Sequence, residues 1–363
     1  MIDLKALLNC AVERKSSDLH LKVGSLPHVR VQGELIPLAN AAPLKREDTT
    51  ELAQQLLSAR QKDILSQKAE VDLAFGAAGL GRFRVAVFQQ RGSISFVFRV
   101  IPDIIPQMEE LNLPPVIKKI AEEDRGLVLI TGTTGSGKST TLAAMIDYIN
   151  AIRRCHIITI EDPIEFLFRD KLSFISQREI AIDTEAFGSA LRSALRQDPD
   201  VILVGEMRDV ETMKTALVAA ETGHLVLSTV HTTDTLETIN RIIGMFPPHE
   251  QHEMRLMLAS VIRAIISMRL LKSSLPVGRV PAIEVLRNTD YIRSLLEQPE
   301  KLKDIRRALE AGTSQYGMQT FDQSLLGLYH AGHISLSDAL RNASQPEDLK
   351  LKLQGIVSAK DEV

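Results

Sequence analysis

A chain of 363 residues, 44% of them hydrophobic, is long enough for two or three ordinary domains, each burying its own core. Its 43 basic and 46 acidic side chains leave a formal charge of −3, which argues against the strongly basic balance that neutralises a nucleic-acid backbone. Cys10 and Cys155, with no CxxC spacing, argue against a disulfide framework and a four-cysteine zinc site, and they suit a reducing cytoplasm.

The N-terminus, MIDLKALLNCAVERKSSD, has no long apolar segment, so no secretory signal is expected. Residues 1–100 read as α+β: a first helix, alternating runs at Leu19–Val23 and Val29–Gln32, then two stronger strands, RFRVAVFQQ (82–90) and SISFVFRVI (93–101). Arg91-Gly92 between the last two predicts a hairpin. Pro102, Pro106, Pro114 and Pro115 crowd the stretch 101–115, which reads as an extended linker between domains. Beyond it, apolar runs alternate with helical patterns: GLVLITG (126–132), HIITIED (156–162), DVILVGE (200–206) and HLVLSTVH (224–231), each followed by a helix. That rhythm predicts an α/β fold with a mostly parallel sheet and helices on both faces. Leu256–Leu271 is the most apolar stretch, and Arg263 and Arg269 within it favour a buried amphipathic helix over a membrane span. From Tyr291 the pattern is helical and charged.

Gly132-Thr133-Thr134-Gly135-Ser136-Gly137-Lys138-Ser139-Thr140 fits GxxxxGK[ST], between the strand LVLIT and the helix TLAAMIDYI. Gly135 and Gly137 let successive N–H groups face one concavity, and the following helix adds the positive end of its dipole, so the loop suits the phosphates of ATP. Lys138 supplies a mobile charge for the β- and γ-phosphates, and Ser139 a hydroxyl for Mg²⁺. Two neighbouring strands end in acids, Glu161 in EDPIE and Glu206 in VGE, where ligands of open parallel sheets collect. Hydrolysis needs one acid to orient and deprotonate water and another group to hold the metal shell. Acids of this kind also cap helices. His231, at the end of LVLSTVH, either contacts the γ-phosphate or caps the next helix.

The chain resembles the secretion and type IV pilus motor ATPases, and within them the PilT-type retraction ATPases, over nearly its whole length. The resemblance runs through SDLHL (17–21), GRFRVAVF (81–88), the P-loop, TIEDPIE (159–165), LRQDPDVILVGEMRD (195–209), ETGHLVLSTVHT (221–232), RLL (269–271) and GMQTFDQSL (317–325). It implies an α+β PAS-like N-terminal domain (1–100), the linker (101–115), a RecA-like P-loop core (116–284) and a helical C-terminal subdomain (285–363). It further implies a homo-hexameric motor that hydrolyses ATP to retract a pilus in twitching motility. Such a motor sits at the cytoplasmic face of the inner membrane, held by a pilus platform protein and alongside other pilus motor ATPases, with no nucleic-acid partner and no inserted segment.

By position, the resemblance makes Glu161 the water-activating base, Glu206 the acid holding Mg²⁺ through water, and His231 the γ-phosphate contact. It also makes Arg84 and Arg99, with Arg82 as a weaker third, candidates to complete a neighbouring subunit's site. Alternation along a strand equally allows them to be solvent-facing residues. Thr133 stands where the family usually has proline, and the retraction-associated AIRNLI reads YIRSLL here, matching at Ile292, Arg293 and Leu295. Pilus-assembly and type II secretion ATPases are the nearest alternative, but they generally carry a four-cysteine zinc insertion that two cysteines cannot supply. A RecA-like DNA translocase is disfavoured by the charge, by zero tryptophans and by only 15 other aromatics, because single strands bind stacking platforms in basic grooves. A nucleotide-dependent assembly platform with negligible turnover is a third alternative.

Overall fold

The computed structural model describes residues 3–31, 33–39, 41–101, 104–275 and 278–353. Gln32, Pro102 and residues 354–363 of the expected elements therefore lie outside it. The chain divides into two compact units, Met1–Ile104 with Glu165–Leu167, and Ile105–Ile164 with Phe168–Val363.

In the first unit the order is α1 (Leu4–Glu13), β1 (Asp18–Leu21), β2 (His28–Val31), β3 (Glu34–Pro37), α2 (Arg46–Leu56), α3 (Ala59–Lys68), β4 (Glu70–Ala77), β5 (Gly81–Gln90) and β6 (Ser93–Ile101). The strands form one antiparallel sheet, β3-β2-β1-β6-β5-β4, an α+β domain of the PAS-like kind. Alternation puts Phe83, Val85 and Val87 of β5 and Phe96 and Phe98 of β6 into a core with Leu8 and Leu52 of the helices. The β5–β6 hairpin turns at Arg91 and Gly92, with φ of 50° and 74°, the left-handed pair that a two-residue turn requires.

In the second unit, α4 (Val116–Ala121) leads to β7 (Gly126–Thr131), α5 (Lys138–Ile152), β8 (His156–Glu161), β9 (Phe174–Glu179), α6 (Phe187–Ala194), β10 (Val201–Val204), α7 (Val210–Glu221), β11 (Leu225–Val230), α8 (Thr235–Gly244), α9 (Gln251–Val261), β12 (Ile262–Lys272) and β13 (Arg279–Arg287). The helices α10 (Asp290–Glu297), α11 (Ile305–Ala311), α12 (Thr313–Tyr316), α13 (Phe321–His330), α14 (Leu336–Asn342) and α15 (Pro346–Leu353) follow. The sheet runs β13-β12-β7-β11-β10-β8-β9, parallel except for β13. Every residue of β7, β10 and β11 is buried, as expected of parallel strands covered on both faces.

The structure corrects several expectations. Leu256–Leu271 is not one helix: α9 stops at Val261 and β12 begins at Ile262. Asn288 fixes the break, its side-chain amide donating to the carbonyls of Ala259 and Ile262, both at 2.8 Å. Strand β12 is buried on both faces, so it shows no alternation and reads like a helix segment. Another unexpected strand, β9, comes before the helix expected after HIITIED. Met108 and Leu113, inside the stretch read as linker, are buried in the second unit's core. The helical C-terminal part begins after Arg287 rather than at 285.

Candidate nucleotide site

The P-loop follows β7 at the carboxyl edge of the sheet. Gly132 has φ 147°, and a Cβ there would collide with the Ser136 side chain and lie 2.5 Å from the Met268 carbonyl oxygen, so only glycine fits. Gly135 and Gly137 lie in the left-handed region at φ 79° and 98°. Lys138 opens α5, and its Nζ donates to the carbonyls of Gly132 (2.9 Å) and Thr133 (3.0 Å), closing the loop into a ring. The Ser136 hydroxyl is buried inside this ring with no hydrogen-bond partner among the described residues. A buried polar atom without a partner is costly, and a phosphate oxygen supplies one. Thr133, Thr134 and Gly135 are exposed at the rim, and Ser139 and Thr140 are half-buried in the first turn of α5. The loop therefore fits a phosphate chain.

Strand register brings the other candidates to the same edge. Val230 of β11 pairs with Thr131, which puts His231 level with Gly132. On β10, Val204 pairs with Ser228 and Ile160, so Glu206 and Glu161 follow just past the edge. A side chain on Gly205 would meet the Ile160 carbonyl oxygen at 3.2 Å, so glycine permits this close approach of the two strand ends. The Thr229 hydroxyl donates to the Gly205 carbonyl at 2.7 Å and fixes the chain just before Glu206.

Glu206 Oε2 lies 2.7 Å from Arg208 Nε and 3.5 Å from His231 Nε2, so the structure brings two of the predicted residues into one cluster. Glu161 Oε1 accepts from the Thr159 hydroxyl at 2.6 Å and the Gln177 amide at 3.1 Å. With β11 and β10 lying between β7 and β8, Glu161 starts about 14 Å across the sheet from the P-loop strand. The capping roles that were open for Glu206 and His231 belong to Asp209 and Asp234, whose carboxylates accept from Thr212 N and Glu237 N at 2.8 Å each. Beyond His231, hydrogen bonds from the Thr233 hydroxyl and N–H hold the Glu237 carboxyl below its ordinary range.

Several of these contacts were not legible in the sequence. Arg208 lies in the GEMRD stretch, but nothing in the sequence marks it as Glu206's partner, and Gln177 sits on the unexpected strand β9. A buried polar row, Thr131–Ser267–Glu284, crosses β7, β12 and β13, with Thr131 Oγ1 donating to Ser267 Oγ at 2.8 Å. It ends where Thr235 N, at the start of α8, donates to Glu284 at 3.0 Å. The described residues contain no cluster of three or more histidine, cysteine or acidic ligands that could hold a metal.

Of the arginines, Arg82 and Arg84 alternate with buried Phe83 and Val85, so they take the sheet face away from the core. Arg84 pairs with Asp72 at 3.3 Å and Arg99 with Asp18 at 3.0 Å, and Arg84 and Arg99 are direct cross-strand neighbours.

The model of the type II/IV secretion system proteins matches residues 2–331. The chain belongs to this family. The type IV pilus retraction ATPase PilT of Pseudomonas aeruginosa is 44% identical over 347 residues, 96% of this chain and all of that protein. A twitching motility protein of Neisseria gonorrhoeae is 45% identical over 323 residues, 89% of this chain and 86% of that one. A crystal structure of the pilus retraction motor PilT with bound ADP superposes with a TM-score of 0.90 at 44% identity, covering 96% of this chain and 99% of that chain. Within the family the chain is therefore a retraction-type P-loop ATPase and uses a nucleotide.

Proposed function

We propose that the protein is a homo-hexameric motor that spends ATP with Mg²⁺ to retract a type IV pilus, acting at the cytoplasmic base of an inner-membrane machine. The single observation behind the catalytic assignment is the convergence of the P-loop, His231, Glu206 and Glu161 on one carboxyl edge. Residues 132–140 wrap the phosphates, with backbone N–H groups and Lys138 against the charge and Ser136 supplying its unused hydroxyl. Ser139 and, through water, Glu206 would hold Mg²⁺, which would supply charge neutralisation to the phosphates. Glu161 takes the proton of the attacking water, and the bonds from Thr159 and Gln177 keep one oxygen fixed while it does so. His231, already beside Glu206, contacts the γ-phosphate, so its position registers whether that phosphate is present.

Arg208, the arginine beside these groups, is engaged by Glu206, so offsetting transition-state charge, a role worth about 10³–10⁵ in rate, calls for a further arginine. Arg84 and Arg99 of a neighbouring subunit supply it. No helix of the described residues is long and apolar enough to cross a membrane, and membrane attachment is assigned to the pilus platform protein, with other pilus motors as further partners.

Mixing subunits tests this reading. Lys138→Ala and Arg99→Ala proteins, each severely impaired alone but with measurable residual turnover, should regain partial phosphate release when co-assembled, because some interfaces then pair an intact loop with an intact arginine. Full activity of Arg84→Ala and Arg99→Ala homo-oligomers would refute the shared site. Several-fold stimulation of phosphate release by single-stranded DNA would instead favour a translocase.

A further inference from the structure

The outward face of the first unit's sheet carries a charged row built by register. Arg30 on β2 pairs with Asp18 on β1, Asp18 pairs with Arg99 on β6, and Arg99 pairs with Arg84 on β5. Arg30 and Arg99 thus flank the Asp18 carboxylate, and Arg84 extends the row to a fourth strand. Directly opposed like charges on a sheet repel, so Arg84 and Arg99 hold this arrangement only if something fixes them apart.

The two arginines are fixed very differently. Asp72, which reaches Arg84 diagonally from β4, is itself largely exposed, with 60% of its side chain accessible, and such a pair holds geometry weakly. Asp18 has 7% of its side chain accessible. Its Oδ1 accepts from Arg99 Nε at 3.0 Å, its Oδ2 accepts from the Ser17 hydroxyl at 2.8 Å, and Arg30 Nε stands 4.0 Å from Oδ2. The carboxylate is therefore anchored through Oδ2 by Ser17 and Arg30, which leaves Oδ1 to hold Arg99. A guanidinium has two donor edges, and the bond to Asp18 uses Nε. The outer Nη1–Nη2 edge of Arg99 makes no other hydrogen bond among the described residues, and its side chain is 66% accessible. That edge is the fork that binds phosphate oxygens in a bidentate way.

We propose that Asp18 is a positioning residue: it clamps Arg99 by Nε so that the Nη1–Nη2 edge is aimed, pre-organised, at the phosphates bound by the neighbouring subunit. Arg84, loosely held by Asp72, is the adaptable member of the pair. The inference rests on the shared-site reading above and adds to it which arginine is fixed and by what. Asp18 touches no phosphate and acts only through Arg99.

The test is a double-mutant cycle on assembled hexamers, following phosphate release, ATP affinity by fluorescent-nucleotide titration and assembly by mass photometry. Asp18→Asn should lower kcat about 10- to 100-fold, the effect of misplacing a catalytic group by about an ångström, with KM and assembly nearly unchanged. In the Arg99→Ala background the same change should have no further effect on the remaining kcat. An equal loss in both backgrounds would make Asp18 merely structural and overturn the proposal. Arg99→Lys gives an independent arm if Asp18→Asn fails to assemble. Lysine still neutralises Asp18 but has no second edge to present, so its kcat should fall to that of Arg99→Ala, whereas near-normal turnover would overturn the clamp. The two readings fail separately. An active Arg99→Ala hexamer defeats the shared site, while an inactive Arg99→Ala with a fully active Asp18→Asn defeats the clamp alone.

Discussion

The carboxyl edge of the parallel sheet and the outer face of the antiparallel sheet both gather charged groups, but by different means. At the first, the proposed phosphate cradle is nine consecutive residues acting mainly through their backbone, and the strand ends beside it arrive through parallel register. At the second, Asp18, Arg30, Arg84 and Arg99 come from four strands, and only side chains act. A backbone site keeps its geometry when one side chain changes. A side-chain row loses its geometry when one charge is removed.

The comparison breaks most visibly at Lys138, the one P-loop charge that the backbone cannot replace. Lys138→Ala should abolish tight ATP binding and cut turnover by at least about 10²–10³-fold, because it also removes the two bonds that close the loop on Gly132 and Thr133. Nucleotide titration and phosphate release check both, and near-normal hydrolysis would remove the nucleotide-site assignment.

The two acids sharpen the comparison, since both are side-chain groups on a backbone-built edge. Glu161→Gln keeps the shape but cannot take a proton, so turnover should drop about 10²–10⁴-fold with ATP affinity retained. Glu206→Gln weakens the metal shell and the contact to His231, and should raise the Mg²⁺ concentration for half-maximal activity about 10-fold or more. If Glu161→Gln turns over normally while Glu206→Gln traps ATP, the two roles are reversed.

The smallest effect concerns Glu284, at the end of the buried polar row. Burial pushes its carboxyl above the usual carboxylate range, and nearby Asp234 adds to this against the hydrogen bond from Thr235 N. A carboxyl whose folded value exceeds the unfolded 4.5 contributes stability that is fully present below pH 4.5 and lost as pH rises through the folded value. Glu284→Gln carries no charge to bury. Its melting temperature should exceed the parent's by about 2–4 °C at pH 8, and the gap should close near pH 4. A gap that persists unchanged at pH 4 would show that the gain comes from packing rather than ionisation.

How much of this was legible follows from which forces are local. The P-loop, the β5–β6 hairpin and the four core parallel strands could be read directly, because glycine conformations, turn chemistry and fully apolar runs act within a few residues. Strands β9 and β12 could not. Strand β12 is buried on both faces, and the residue that ends the preceding helix, Asn288, lies 26 positions beyond Ile262. The clustering of His231 with Glu206 was equally invisible, since 25 residues separate them and only the β10–β11 register brings them together.

By itself the sequence determined the candidate site and the family: a glycine-rich loop suited to phosphate, acids and a histidine at strand ends, and a type II/IV secretion system protein. The tertiary structure decided which side chains hold one another. It set Arg208 and His231 on Glu206, Gln177 on Glu161, and Asp18 under Arg99. The physical reason is that backbone hydrogen bonding and glycine conformation are short-range properties of the chain. An ion pair depends on strand order and register, which are fixed only when distant segments bury their apolar faces together.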